Sequence, residues 1–84
     1  MLHKYRKTAL IKAEQFDGTQ TMMVKYGIFA HPASHYFMDD PLYTMKTKEG
    51  VIEVKPYDYI ATGVDGEHWA IDQDIFERTY ERVD

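Results

Sequence analysis

The run from Tyr57 to Ile71, YDYIATGVDGEHWAI, constrains the fold most, because two strand-forming halves flank a pair suited to a tight reversal. Tyr57 to Thr62 is aromatic and β-branched, the composition of a strand. Gly63 ends it, and Asp65-Gly66 supplies residue types that tolerate the positive φ of a hairpin turn. His68 to Ile71 reads as the return strand, with Trp69 and Ile71 on one face and His68 and Ala70 on the other. A short helix follows. Asp72 and Asp74 both suit its N-cap, and Asp74 with Glu77 has the spacing of a capping box. Phe76, Tyr80 and Val83 recur as one apolar stripe, while Arg78 and Arg82 fall late, where cations suit the helix's negative end.

Signals upstream are shorter. Met1 to Lys7 is a polar, basic lead-in. Thr8 to Phe16 alternates incompletely and is closed by Asp17-Gly18, which reads as a strand, although Ala13 and Glu14 would equally suit a helix. Thr19 to Tyr26 carries capping threonines and then Met22, Met23 and Tyr26, with Gly27 where a helix would stop. Ile28 to Asp40 has little periodicity: His31 to His35 looks like a loop, and Tyr36-Phe37-Met38 like a short edge strand. Leu42 to Lys48 and Val51 to Lys55 form another hairpin turned at Glu49-Gly50, with Ile52 and Val54 sharing a face.

At 84 residues, with no linker or repeat, the chain is expected to be one domain, 1–84, with a small core. Sequential antiparallel strands joined by tight turns tend to be neighbours. The expected class is therefore α+β: a small, bent antiparallel sheet or open barrel of about five strands, with one short helix after strand 1 and another at the C-terminus. An α+β sandwich with one flat sheet is the alternative.

Cysteine is absent, which removes disulfides and thiolate metal sites and fits a reducing cytoplasm. No apolar run approaches the ~20 residues of a membrane span, and Leu2 to Leu10 is too polar for a signal peptide. Lys4, Arg6, Lys7 and Lys12 precede every acid, whereas the other six bases are outnumbered by fourteen acids. The net charge of −4 argues against non-specific nucleic-acid binding by the folded body.

The stretch from Pro56 onward is similar to a C-terminal signature of small tailed-bacteriophage and prophage proteins. That pattern runs Pro-Gly-Asp-(Trp/Tyr)-Ile-x-Thr-Gly-Val-x-Gly-Glu-x-(Tyr/Trp)-Pro, then Asp-(Ile/Val)-Phe-x-x-Thr-Tyr. Here it is carried by Pro56, Asp58, Tyr59, Ile60, Thr62, Gly63, Val64, Gly66, Glu67 and Trp69, then Asp74, Ile75, Phe76, Thr79 and Tyr80. The opening, Tyr5 to Thr8 and Glu14 to Gly18, resembles such proteins more loosely. Tyr57 stands where the pattern has Gly, and Ala70 where it has Pro, so the turn before Tyr59 is expected to differ. The resemblance implies a phage or prophage origin and no particular activity.

Two constellations approach catalytic or metal chemistry, and both fall short. His31 and His35 are spaced for a metal only on a helix, which Pro32 opposes, and Asp39 and Asp40 supply no defined geometry. Asp58, Asp65, Glu67 and His68 come without a nucleophile motif or phosphate loop. The expectation is a non-enzyme without cofactor or metal. Seven tyrosines are more than so small a core can bury, and Tyr is favoured at interfaces. The candidate partner-binding face is His31, His35, Tyr36, Phe37, Tyr43 and Tyr57. The leading expectation is a phage accessory protein of the host cytoplasm, an inhibitor or adaptor binding a host or phage protein. Alternatives are a protein that sequesters a nucleotide signal and a minor virion component. An exposed strand edge leaves homo-oligomerisation open to each.

Overall fold

The computed structural model describes residues 1–31 and 42–84. In chain order the elements are β1 (Lys12–Gln15), α1 (Gln20–Tyr26), β2 (Ile28–His31), β3 (Leu42–Thr47), β4 (Gly50–Val54), β5 (Tyr59–Thr62), β6 (His68–Ile71) and α2 (Gln73–Thr79). The class is α+β, with helices after strand 1 and at the C-terminus. The six strands form two open, antiparallel three-stranded sheets, ordered β1-β5-β6 and β2-β3-β4. The expected edge strand at Tyr36-Phe37-Met38 lies outside the described residues.

Local chemistry sets the helix ends. Thr19 caps α1, its hydroxyl accepting from the Met22 N–H at 3.3 Å, and Gly27 closes it in the left-handed region at φ 67°. Asp72, not Asp74, caps α2, accepting from the N–H groups of Asp74 and Ile75. Asp74 instead pairs with Arg78 one turn on, at 3.1 Å, so the expected capping box with Glu77 is not formed. The helix stops at Thr79; Val83 lies beyond it, and Arg82 pairs with Asp84.

The two predicted hairpins are β3–β4, with Lys46 opposite Val51, and β5–β6, with Ala61 opposite Trp69. They do not continue into one meander. Pro56 has no N–H to give a ladder. The Tyr57 N–H donates to Phe16 O at 2.8 Å, and Asp58 O accepts from Phe16 N at 2.7 Å. The chain therefore leaves the second sheet at Val54 and joins β1, whose register with β5 runs from Lys12 opposite Thr62 to Gln15 opposite Tyr59.

One apolar cluster holds both sheets and α1 together. Phe16, Met22, Ile28, Met45, Val54 and Ile60 are buried in it, drawn from or beside every element from β1 to β5. Four of these side chains, Phe16, Met45, Ile60 and Val54, lose essentially all contact with water. Each contributes about 1.5–3 kcal/mol through burial. α2 packs on the other face of β1-β5-β6, where Phe76 stacks on Tyr59 with ring centroids 3.9 Å apart.

Candidate functional site

Lys55, Pro56, Tyr57 and Asp58 make the four-residue turn that carries the chain between the sheets. The Asp58 N–H donates to Lys55 O at 3.1 Å, and Tyr57 has φ 75°. Pro in the second position with a positive φ in the third defines a type II turn, whose third position calls for Gly. Tyr57 is the one non-glycine residue at positive φ among those described. A left-handed conformation costs a side-chain-bearing residue roughly 1–2 kcal/mol.

Surrounding bonds over-determine this strained turn. The Tyr57 carbonyl accepts from Gln15 Nε2 at 3.1 Å, and its N–H is held by Phe16 O. Asp58 is buried, and its Oδ2 accepts from the Lys55 N–H at 2.9 Å. Burial pushes the Asp58 carboxyl above its ordinary range, against the opposing pull of the Lys55 backbone bond. Among the described residues nothing comparable holds the Tyr57 ring, which is 61% exposed.

The Gly63 to Glu67 turn, at the far end of β5, is explained by its own structure. Gly66 has φ 80°, and its N–H donates to Gly63 O. A Cβ at Gly63 would overlap the Glu67 carboxylate, which folds back to accept from the Asp65 N–H at 3.1 Å. These residues build a hairpin, with Gly66 and Glu67 fixed by its geometry.

The sequence-predicted face divides. His31 lies exposed on β2, with Nε2 2.9 Å from Thr44 Oγ1. Pairing places His31 with Leu42, and Tyr43 with Ala30, so His31 and Tyr43 occupy opposite faces of the sheet. Tyr43 is half-buried, its ring edge-on to Phe16 at 5.0 Å. Tyr57 meets the same Phe16 through its backbone. Tyr43 and Tyr57 thus flank one core residue, and His31 stands apart. His35, Tyr36 and Phe37 lie outside the described residues.

Two groupings were not anticipated from the sequence. Phe29 is 65% exposed on the His31 face of β2. On β1, Glu14 Oε1 accepts from both Lys25 Nζ and the Tyr26 hydroxyl, at 2.8 and 2.6 Å. Those bonds hold the Glu14 carboxyl below its usual range and raise the Lys25 ammonium; burial, then the Glu14 contact, raises the Tyr26 phenol. A hint was available in Lys12 and Glu14, which break the apolar alternation of the strand. Among the described residues, no three His, Asp or Glu side chains converge as a metal site, and no helix is long and apolar enough to cross a membrane.

Comparison with protein-family models, curated proteins and solved structures gives no match.

Proposed function

We propose that the chain is a small, non-enzymatic bacteriophage or prophage accessory protein of the host cytoplasm. It binds a host or phage protein, with the Tyr57 ring at the contact. The observation that carries this reading is an exposed aromatic ring kept at a backbone position where Gly would be unstrained. Strain held in place by its surroundings, at a ring with no partner of its own among the described residues, points to a contact with something else. A Tyr is also the residue type whose rigid, amphipathic ring adds most to a protein interface.

The test is affinity capture from bacterial host lysate with tagged wild type, Tyr57→Gly and Tyr57→Phe, read by mass spectrometry. One saturable partner held by wild type and Tyr57→Phe, and lost from Tyr57→Gly, supports the proposal. Capture of nothing above background at low salt, or equal capture by Tyr57→Gly, overturns it.

A further inference from the structure

At the opposite end of β5 from Tyr57, polar side chains from four elements surround an open cleft. Lys12 on β1 pairs with Thr62 on β5, and Thr62 with His68 on β6, so the three form a row across one face of the sheet. The same face carries Glu14 and the buried Ile60. Thr62 Oγ1 lies 2.9 Å from His68 Nδ1. The C-terminal end of α1 supplies the side wall: the Tyr26 ring stands edge-on to the His68 imidazole, centroids 5.1 Å apart. The cleft bounded by Lys12, Glu14, Lys25, Tyr26, Thr62 and His68 has a volume of about 600 Å³, within the range of small-molecule sites.

Its charge is the informative part. Glu14 is already engaged by Lys25 and Tyr26, which together tether α1 to β1. That tether accounts for Glu14, Lys25 and Tyr26, but it leaves Lys12, which forms no ion pair among the described residues. Two ammonium groups against one carboxylate give the lining a positive balance within a chain of net charge −4. Thr62 and His68 are bonded to each other through Oγ1 and Nδ1, so with a neutral imidazole the pair offers an anion one donor, the Thr62 hydroxyl or the His68 Nε2–H according to the tautomer. A lysine ammonium is a compact point charge with three rotatable donors, able to bind a phosphate without the planar fork of Arg.

We propose that this cleft binds a small phosphorylated ligand, its phosphate held by Lys12 and the Thr62–His68 pair and its remainder bounded by the Tyr26 ring. The site is separate from Tyr57, and the four-residue β5 between them spans roughly 10 Å at strand geometry. Binding here does not depend on the protein contact proposed above.

The experiment is an NMR titration of the full chain with inorganic phosphate and with adenosine monophosphate at constant ionic strength, following the His68 and Tyr26 ring signals. Saturable shifts are expected, together with about tenfold weaker binding in Lys12→Gln, the loss expected from one charge-assisted hydrogen bond. Lys46→Gln, on the other sheet, serves as the control for general charge and is expected to leave affinity unchanged. Tighter binding of adenosine monophosphate than of phosphate supports the place given to the organic part of the ligand, and equal affinity overturns that part of the proposal. Non-saturating shifts, or equal weakening in Lys12→Gln and Lys46→Gln, overturn the proposal. Because Lys12 is exposed and forms no ion pair among the described residues, its substitution leaves the fold intact, as an unchanged amide spectrum will verify.

Discussion

Tyr57→Gly and Tyr57→Ala form a pair that isolates the strain at the Lys55–Asp58 turn. Both remove the ring, so any contribution from its partial burial cancels between them. At an ordinary position Gly is less stable than Ala by roughly 0.5–1 kcal/mol, because its unfolded chain is freer. At φ 75° the order should reverse. Ala keeps a Cβ and therefore retains the roughly 1–2 kcal/mol cost of the left-handed region, whereas Gly sheds it. Subtracting the entropic penalty leaves Gly ahead by about 0–1.5 kcal/mol, with a midpoint of ~0.75 kcal/mol. For a domain of this size the midpoint is a difference of roughly 3–6 °C in Tm. Differential scanning calorimetry of the two variants at one pH and salt concentration reads it directly. A Tyr57→Ala melting temperature equal to or above that of Tyr57→Gly would refute the strain argument, and with it the reason for singling out the ring. Asn, which tolerates positive φ better than Ala, should fall between them.

Three further outcomes follow from the geometry. Thr19→Ala removes the hydroxyl that accepts from Met22 N and should cost about 1 kcal/mol in urea unfolding. Asp58→Asn keeps an acceptor for the Lys55 N–H while removing a buried charge. Since burial raises the folded carboxyl above its unfolded value, the Asp58 contribution is present below the ordinary carboxylate range and lost as pH rises through the folded value. The variant should therefore melt higher than wild type at neutral pH, with the gap closing in acid; a pH-independent gap would count against burial as the cause. Gly63→Ala should displace the Glu67 carboxylate and lose its bond to the Asp65 N–H, about 1 kcal/mol, and much of that loss should be absent when Gly63→Ala is made in a Glu67→Ala background.

Features fixed within a few residues were readable from the sequence. Thr19 and Gly27 bracket α1 because a hydroxyl and a missing Cβ act on the adjacent backbone, and Asp65-Gly66 turns the last hairpin for the same kind of reason. The α2 cap shows the limit of that locality. Asp72 and Asp74 are equivalent as letters, and what favours Asp72 includes the Lys55 ammonium 3.2 Å from its carboxylate, seventeen residues back in the chain. Pairings between distant strands were not readable. β1 finds β5 across more than forty residues, and the split into two sheets depends on Phe16 capturing the backbone of Tyr57 and Asp58. The strand at Ile28–His31 was missed because it is short and its alternation is broken by exposed Phe29 and Ala30.

The candidate site divides along the same line. Glu14, Lys25 and Tyr26 meet across eleven and twelve residues, and no spacing rule connects them. Tyr57 was conspicuous because it stands where the resembled pattern has Gly, although its aromatic ring read as the start of a strand that in the structure begins only at Tyr59. The bonds that hold the turn account for its backbone: Phe16 fixes Tyr57 N–H, Gln15 fixes its carbonyl, and Asp58 fixes Lys55. Every one of those bonds would survive with Gly in place of Tyr57, and the strain would be relieved. Packing therefore explains why the turn tolerates a tyrosine, but not why the chain has one. The difference between toleration and need is what the capture experiment with Tyr57→Gly measures, since that variant is expected to keep the turn while removing the ring.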